Sequence, residues 1–149
     1  MIADLRPARP TDAGATGDIL WRFQHRTSWM PDLYSGAQTV AFCGAMIDRG
    51  WVTVAVLNGR VEGFLARDDT EICALYLSQT VRRRGIGQQL LDHAKSRSKM
   101  LKLRVFQGNV RAQRFYLRQG FAETGRGDGA DNDENLPDIA YIWPREAAT

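Results

Sequence analysis

The stretch Leu75–Gln88, Leu-Tyr-Leu-Ser-Gln-Thr-Val-Arg-Arg-Arg-Gly-Ile-Gly-Gln, constrains the fold of this chain more than any other. An apolar strand ends in it, an arginine-rich turn follows, and two glycines open a helix. Backbone N–H groups at a helix start have no partner within the helix and point outward, so they collect anions. Glycine lets a phosphate approach the main chain closely. Arg82, Arg83 and Arg84 add positive charge and forked donors. Together these features predict a pyrophosphate site. A Walker loop is excluded, because no Gly-Lys-Ser/Thr follows. A dinucleotide fingerprint is excluded as well, because Leu90 stands where its third glycine belongs.

Around this segment, periodicity and punctuation predict the order β-α-α-β-β-β-α-β-α-β-β. Ile2 to Arg9 reads as a strand ending at Pro10, and Thr11 as the cap of a helix from Asp12 to Gln24. Ser35-Gly36-Ala37-Gln38 has the form of a capping box, with an apolar helix running on to Arg49. Trp51–Leu57 carries valines at period two, and Asn58-Gly59 turns it back into Arg60–Arg67. Glu71–Leu77 is a strand of nearly continuous apolar character, which suits a central position. Ile86–Lys99 is a helix with Ile86, Leu90 and Ala94 on one stripe. Leu101–Phe106 is a strand, Asn109 caps a helix to Gln119, and Gly120 stops it. Phe121–Arg126 and Ile139–Trp143 are the last strands, joined by an acidic loop. The result is an α/β fold: a mixed sheet of about seven strands with about four helices.

The 149 residues, 44% hydrophobic and 25% charged, suit one globular domain spanning 1–149. No apolar run approaches the roughly 20 residues that cross a bilayer, and the first residues lack a signal-peptide pattern, so a cytoplasmic protein without a membrane partner is expected. Cys43 and Cys73 lie in apolar stretches and are expected to be buried thiols. Neither they nor His25 and His93 have metal-ligand spacing, so no metal is expected. The net charge of +3 does not by itself imply nucleic acid. Its distribution is more informative: Arg82–Arg84 form a positive run, and Asp128, Asp131, Asp133, Glu134 and Asp138 a negative one. Such runs read either as two solvated loops or as an anion site and a cation site.

The form Arg-x-x-Gly-x-Gly at Arg82, Gly85 and Gly87 resembles the cofactor motif of the GNAT superfamily of N-acetyltransferases. A second stretch, Asn109 to Phe121, resembles that family's Asn-x-x-Ala-x-x-x-Tyr-x-x-x-Gly-Phe segment, with Asn109, Ala112 and Tyr116 on one helical face. The likeness runs from about Leu5 to Trp143 and is strongest from Glu71 to Phe121. The tail Asp128–Trp143 also resembles that of a bacterial subgroup. The resemblance implies the GNAT acyltransferase fold and transfer of an acetyl group from acetyl-CoA, by direct attack, to a primary amine on a small molecule, peptide or protein.

Carried over residue by residue, the resemblance implies that Leu75, Tyr76 and Leu77 face the pantetheine arm, with the Leu77 N–H polarising the thioester carbonyl. Arg83, Arg84, Gly85, Ile86, Gly87 and Gln88 would cradle the pyrophosphate, with Arg82 in the motif's Gln/Arg position. Asn109 and Ala112 would line the pantetheine arm, and Tyr116 would be the general acid. Glu71 is the candidate base, with a water relay or an aspartate of the acidic loop as alternatives. The acceptor would lie by Trp29, Met30, Tyr34 and the loop Asp128–Asp138, where Asp131 and Asp133 with aromatic faces suit a cation. Trp29 and Tyr34 equally suit core packing or a homodimer contact. Two rival readings are a non-catalytic acyl-CoA sensor or scaffold of the same fold, and a nucleic-acid module using Arg82–Arg84. No established nucleic-acid motif accompanies the second.

Overall fold

The computed structural model describes residues 2–148; Met1 and Thr149, the ends of the expected domain, lie outside the described residues. The elements are β1 (Asp4–Pro7), α1 (Ala13–Arg26), α2 (Gly36–Asp48), β2 (Val52–Leu57), β3 (Arg60–Asp68), β4 (Glu71–Leu77), α3 (Ile86–Lys95), β5 (Leu101–Phe106), α4 (Val110–Arg118), β6 (Ala122–Gly127) and β7 (Asp138–Trp143). They follow the order expected from the sequence. The strands form a mixed seven-stranded sheet in the order β1-β2-β3-β4-β5-β7-β6. The chain folds as two compact units, Met1–Asp68 with Cys73–Ala94, and Asp69–Ile72 with Lys95–Thr149.

In the first unit β1, β2 and β3 run antiparallel, with Leu5 opposite Ala55 and Thr53 opposite Leu65. Asn58 (φ 52°) and Gly59 (φ 76°) are both left-handed, as a tight hairpin turn between right-twisted strands requires. The core joins Ile19 and Leu20 of α1, Cys43, Met46 and Ile47 of α2, and Val52, Val54, Phe64, Ala66 and Ala74 of the strands. The two helices cross closely at Gly17, where an added Cβ would lie 2.6 Å from Val40 Cγ2. The capping box forms as expected: the Gln38 N–H donates to Ser35 Oγ (3.1 Å) and the Ser35 N–H to Gln38 Oε1 (2.9 Å).

Three local expectations need correction here. Thr11 does not cap α1; Pro10–Asp12 is a 3-10 turn and Asp12 is the cap position. The Asp12 carboxylate turns back to Arg6 (2.7 and 3.2 Å) and to the Arg9 N–H (2.7 Å), because a nearby guanidinium outcompetes the helix end. Helix α3 ends at Lys95 rather than Lys99. The serines beyond it favour turns over helix, and Ser98 Oγ donates to Met100 O (2.7 Å). Cys43 is buried, but Cys73 is exposed. Strand alternation places it on the face opposite its buried neighbours Ile72 and Ala74.

In the second unit β5 and β6 each pair antiparallel with β7, Leu103 opposite Tyr141 and Arg126 opposite Ile139. The start of β4 joins β5 in parallel at Glu71↔Lys102. Asp138, expected at the end of the acidic loop, instead opens β7 and is buried. Arg104 donates to it at 3.2 Å, and Gly127 leaves room, since a Cβ there would lie 2.5 Å from Asp138 Oδ1.

Candidate active site

The first unit holds the stretch from Cys73 in β4 through the arginine turn into α3, up to Ala94. Leu75, Tyr76 and Leu77 are half-buried. The Tyr76 ring packs against Phe23 (5.0 Å between centroids) and Phe64 (5.9 Å), so its side chain belongs to the core and its backbone is what it can offer a ligand. Gly63 of β3 lets this segment lie close: a Cβ there would be 2.6 Å from Leu77 Cδ2 and 3.3 Å from the Tyr76 carbonyl oxygen. Gly63 went unremarked in the sequence; its only signal was a glycine inside a strand, which often marks close approach of a backbone or ligand.

After Leu77 a 3-10 turn, Gln79–Val81, anchors the loop through the buried side chain of Val81. Arg82 is half-buried, while Arg83 and Arg84 are exposed. Arg83 (φ 66°) and Gly85 (φ 82°) are both left-handed. For Gly85 that conformation is unstrained. For Arg83 it is an uncommon one, of the kind that clusters at ligand sites. Left-handed residues in such turns aim successive N–H groups toward one side, making a concavity that holds anions. The Gln89 N–H donates to Gly85 O (3.0 Å), so the N–H groups of Ile86, Gly87 and Gln88 precede the helical ladder and find no acceptor within it.

Helix α3 is held firmly behind this turn. Ile86, Leu90, Leu91 and Ala94 are buried, and Gln89 forms a reciprocal pair with Ala3 (2.9 and 2.6 Å). The turn, the open N–H groups and the exposed arginines fit a pyrophosphate. Trp29 and Tyr34 lie half-buried in the loop between α1 and α2. Near them His25 stacks on Trp21 (3.8 Å), with its Nε2 3.6 Å from Asp32 Oδ1.

The second unit holds the other predicted residues. Glu71 is exposed at the start of β4. Asn109 caps α4, its Oδ1 accepting from the Ala112 N–H (3.1 Å), which leaves the side-chain NH2 to donate elsewhere. Tyr116 is buried, its ring set edge-on to Phe115 (5.2 Å) and Phe121 (5.3 Å). Asp131 and Asp133 are exposed, in a loop held by Asn132, which bonds Leu136 twice (2.8 and 3.1 Å). Among the described residues no group of three or more His, Cys, Asp or Glu could hold a metal ion, and no helix is long and apolar enough to cross a membrane.

Residues 39–123 match the acetyltransferase (GNAT) domain family. The chain is 33% identical over 94 residues to the peptidyl-lysine N-acetyltransferase YjaB of Salmonella typhimurium, covering 63% of this chain and 64% of that protein. It thus spans a little under two thirds of that relative's length. Its fold is similar to the solution structure of apo YjaB from Escherichia coli (TM-score 0.79, 24% identity, 96% of this chain and 98% of that one). It is also similar to YncA of Salmonella typhimurium, a putative acetyltransferase solved with its cofactor acetyl-CoA (TM-score 0.73, 17% identity, 97% and 95%). The motif at Arg82–Gly87, the turn it forms and the domain match through residue 123 agree: this chain belongs to the GNAT acetyltransferase family.

Proposed function

We propose that this protein transfers the acetyl group of acetyl-CoA to a primary amine, and that the amine is a lysine side chain of a peptide or protein. The observation that carries the reading is the left-handed turn at Arg83 and Gly85, which presents the start of α3 to an anion. The lysine acceptor is favoured over a small amine by the relative named for peptidyl-lysine acetylation.

Acetyl-CoA supplies the thioester carbon that the amine attacks. The N–H groups of Gly85, Ile86, Gly87 and Gln88 bind the pyrophosphate, and Arg82, Arg83 and Arg84 neutralise it. The backbone of Leu75, Tyr76 and Leu77 pairs with the pantetheine arm as an added strand, and the Leu77 N–H donates to the carbonyl oxygen as negative charge develops there. Asn109 donates its NH2 to the same arm, beside Ala112. A lysine amine with a pKa near ~10 arrives protonated. Glu71 accepts its proton, directly or through water, and the lone pair then forms the N–C bond. The C–S bond breaks as Tyr116 protonates the departing sulfur, and the nitrogen's remaining extra proton, lost as the amide forms, returns Tyr116 to its neutral form. Trp29, Tyr34, Asp131 and Asp133 attract the cationic acceptor. In this reading residues 1–149 act as one N-acetyltransferase domain in the cytoplasm, and Trp29–Tyr34 are also the residues through which a homodimer would form.

The test is thiol release from acetyl-CoA with separate pools of lysine peptides, peptides with only an α-amine, polyamines and aminoglycosides. Release with lysine peptides is the expected result. Release confined to another pool would reassign the acceptor. Binding of CoA without release in any pool would replace catalysis with a sensor or scaffold role.

A further inference from the structure

One carboxylate outside the residues assigned so far gathers the entry to the arginine turn. Glu62 of β3 has its side chain only 16% exposed, although it is charged. Its backbone carbonyl accepts from the Ser78 N–H at 2.8 Å. Its Oε2 accepts from Ser78 Oγ at 2.8 Å and from Thr80 Oγ1 at 3.2 Å, and the two hydroxyls are 3.3 Å apart. Its other oxygen, Oε1, lies 3.9 Å from Arg60 Nε, whose side chain is largely in solvent. The adjacent Gly63 leaves room for this segment, since an added Cβ there would meet Leu77 Cδ2 and the Tyr76 carbonyl oxygen. Glu62 therefore bonds Ser78 and Thr80 while Gly63 lets Tyr76 and Leu77 lie close. Those residues end β4 and begin the 3-10 turn that delivers Arg82–Gly85.

We infer that Glu62 is a positioning residue for the cofactor turn. A carboxylate that accepts two hydroxyls and lies next to a backbone rung fixes the direction in which the chain leaves β4. Hydrogen bonds to an ionised acceptor are stronger than neutral ones. The turn beyond holds Arg83 in a left-handed conformation that its side chain disfavours, so it needs such outside support. With Glu62 in place the N–H groups of the turn are set before the pyrophosphate arrives, and less ordering is left for binding to supply. The inference rests on acetyl-CoA being the ligand of this turn.

Calorimetric titration of CoA, with no acceptor present, tests it on the full chain. Glu62→Ala is expected to weaken CoA binding about tenfold, the scale of one charge-assisted contact. Glu62→Gln, which keeps an acceptor oxygen, should recover most of that affinity. In turnover the loss should appear in KM for acetyl-CoA, with kcat at saturation nearly unchanged. Hydrogen exchange at residues 82–88 should quicken in Glu62→Ala while the amides of β2 and β3 stay protected. Ser78→Ala with Thr80→Val removes the same bonds from the other side. Added to Glu62→Ala, it should cost little more, and it carries the test if Glu62→Ala does not fold. CoA affinity and exchange equal to wild type in these variants would overturn the inference. A wild-type protein that binds no CoA would instead overturn the functional reading beneath it.

Discussion

Tyr116 and Asp12 show how differently two buried polar side chains can serve one chain. Tyr116 sits among Phe115 and Phe121, and in the mechanism proposed above its hydroxyl protonates the departing sulfur. Tyr116→Phe keeps the packing and removes only that oxygen, so kcat should fall by about 10²–10⁴ while CoA affinity and thermal midpoint stay near wild type. Asp12 works for stability. The Arg6 hydrogen bond, more than any other contact, holds its carboxyl below the usual range; burial opposes this, and the Arg9 N–H assists. Because the folded value is the lower one, the unfolded chain takes up the proton first as pH falls. The stabilisation is thus complete above the ordinary carboxylate pKa of about 4 and is lost as pH falls through the lower folded value. Asp12→Asn should cost about 1–3 kcal/mol at pH 7 and flatten the acid limb, which urea unfolding from neutral to acid pH would measure. Asp12 was legible as a helix start but not as the partner of Arg6, because that choice depends on how β1 enters the first unit.

Elements whose ends are set by local chemistry were legible. The Ser35–Gln38 box, the Asn58–Gly59 turn and the Asn109 cap each depend on neighbours within a few residues, and each formed where expected. The arginine loop was legible for the same reason, as a strand, an arginine run and a helix start in sequence. What its sequence could not show was the backbone sign at Arg83, nor the support from β3. At this scale Gly85 offers the sharpest test. A Cβ there would meet nothing within 4 Å, so the glycine is required by its φ of 82° and not by crowding. Gly85→Ala should lower stability by only about 1–2 kcal/mol. The turn would relax toward an ordinary conformation, and CoA binding by calorimetry should weaken far more than the thermal midpoint falls.

Across the whole molecule the charge is modest, +3, yet it is unevenly distributed. The exposed Arg83 and Arg84 face solvent, so part of their attraction for a phosphorylated ligand acts through screened water. CoA affinity should therefore fall several-fold between about 50 and 500 mM salt, and the double variant Arg83→Ala, Arg84→Ala should lose most of that dependence. The motif at Arg82–Gly87 and the segment Asn109–Phe121 were what indicated the family. Gly63 and Glu62 were not legible, because their importance comes from strand pairing between residues distant in sequence. The lateral order β5-β7-β6 was equally hidden, since nothing in strands read one by one says that the last is inserted between two earlier ones.

That insertion has a consequence for the order in which the chain can fold. Among the described residues β6 neighbours β7 alone in the sheet, and β7 also supplies the antiparallel side of β5. As the chain folds, Ala122–Gly127 stays unpaired until Asp138–Trp143, which follows it beyond the acidic loop, reaches its place beside it. Four acidic side chains in the stretch just after it, Asp128, Asp131, Asp133 and Glu134, help keep that unpaired segment in water. A chain interrupted at Pro137 would carry both Glu71 and Tyr116, the residues proposed for catalysis, and still leave the second unit unfinished.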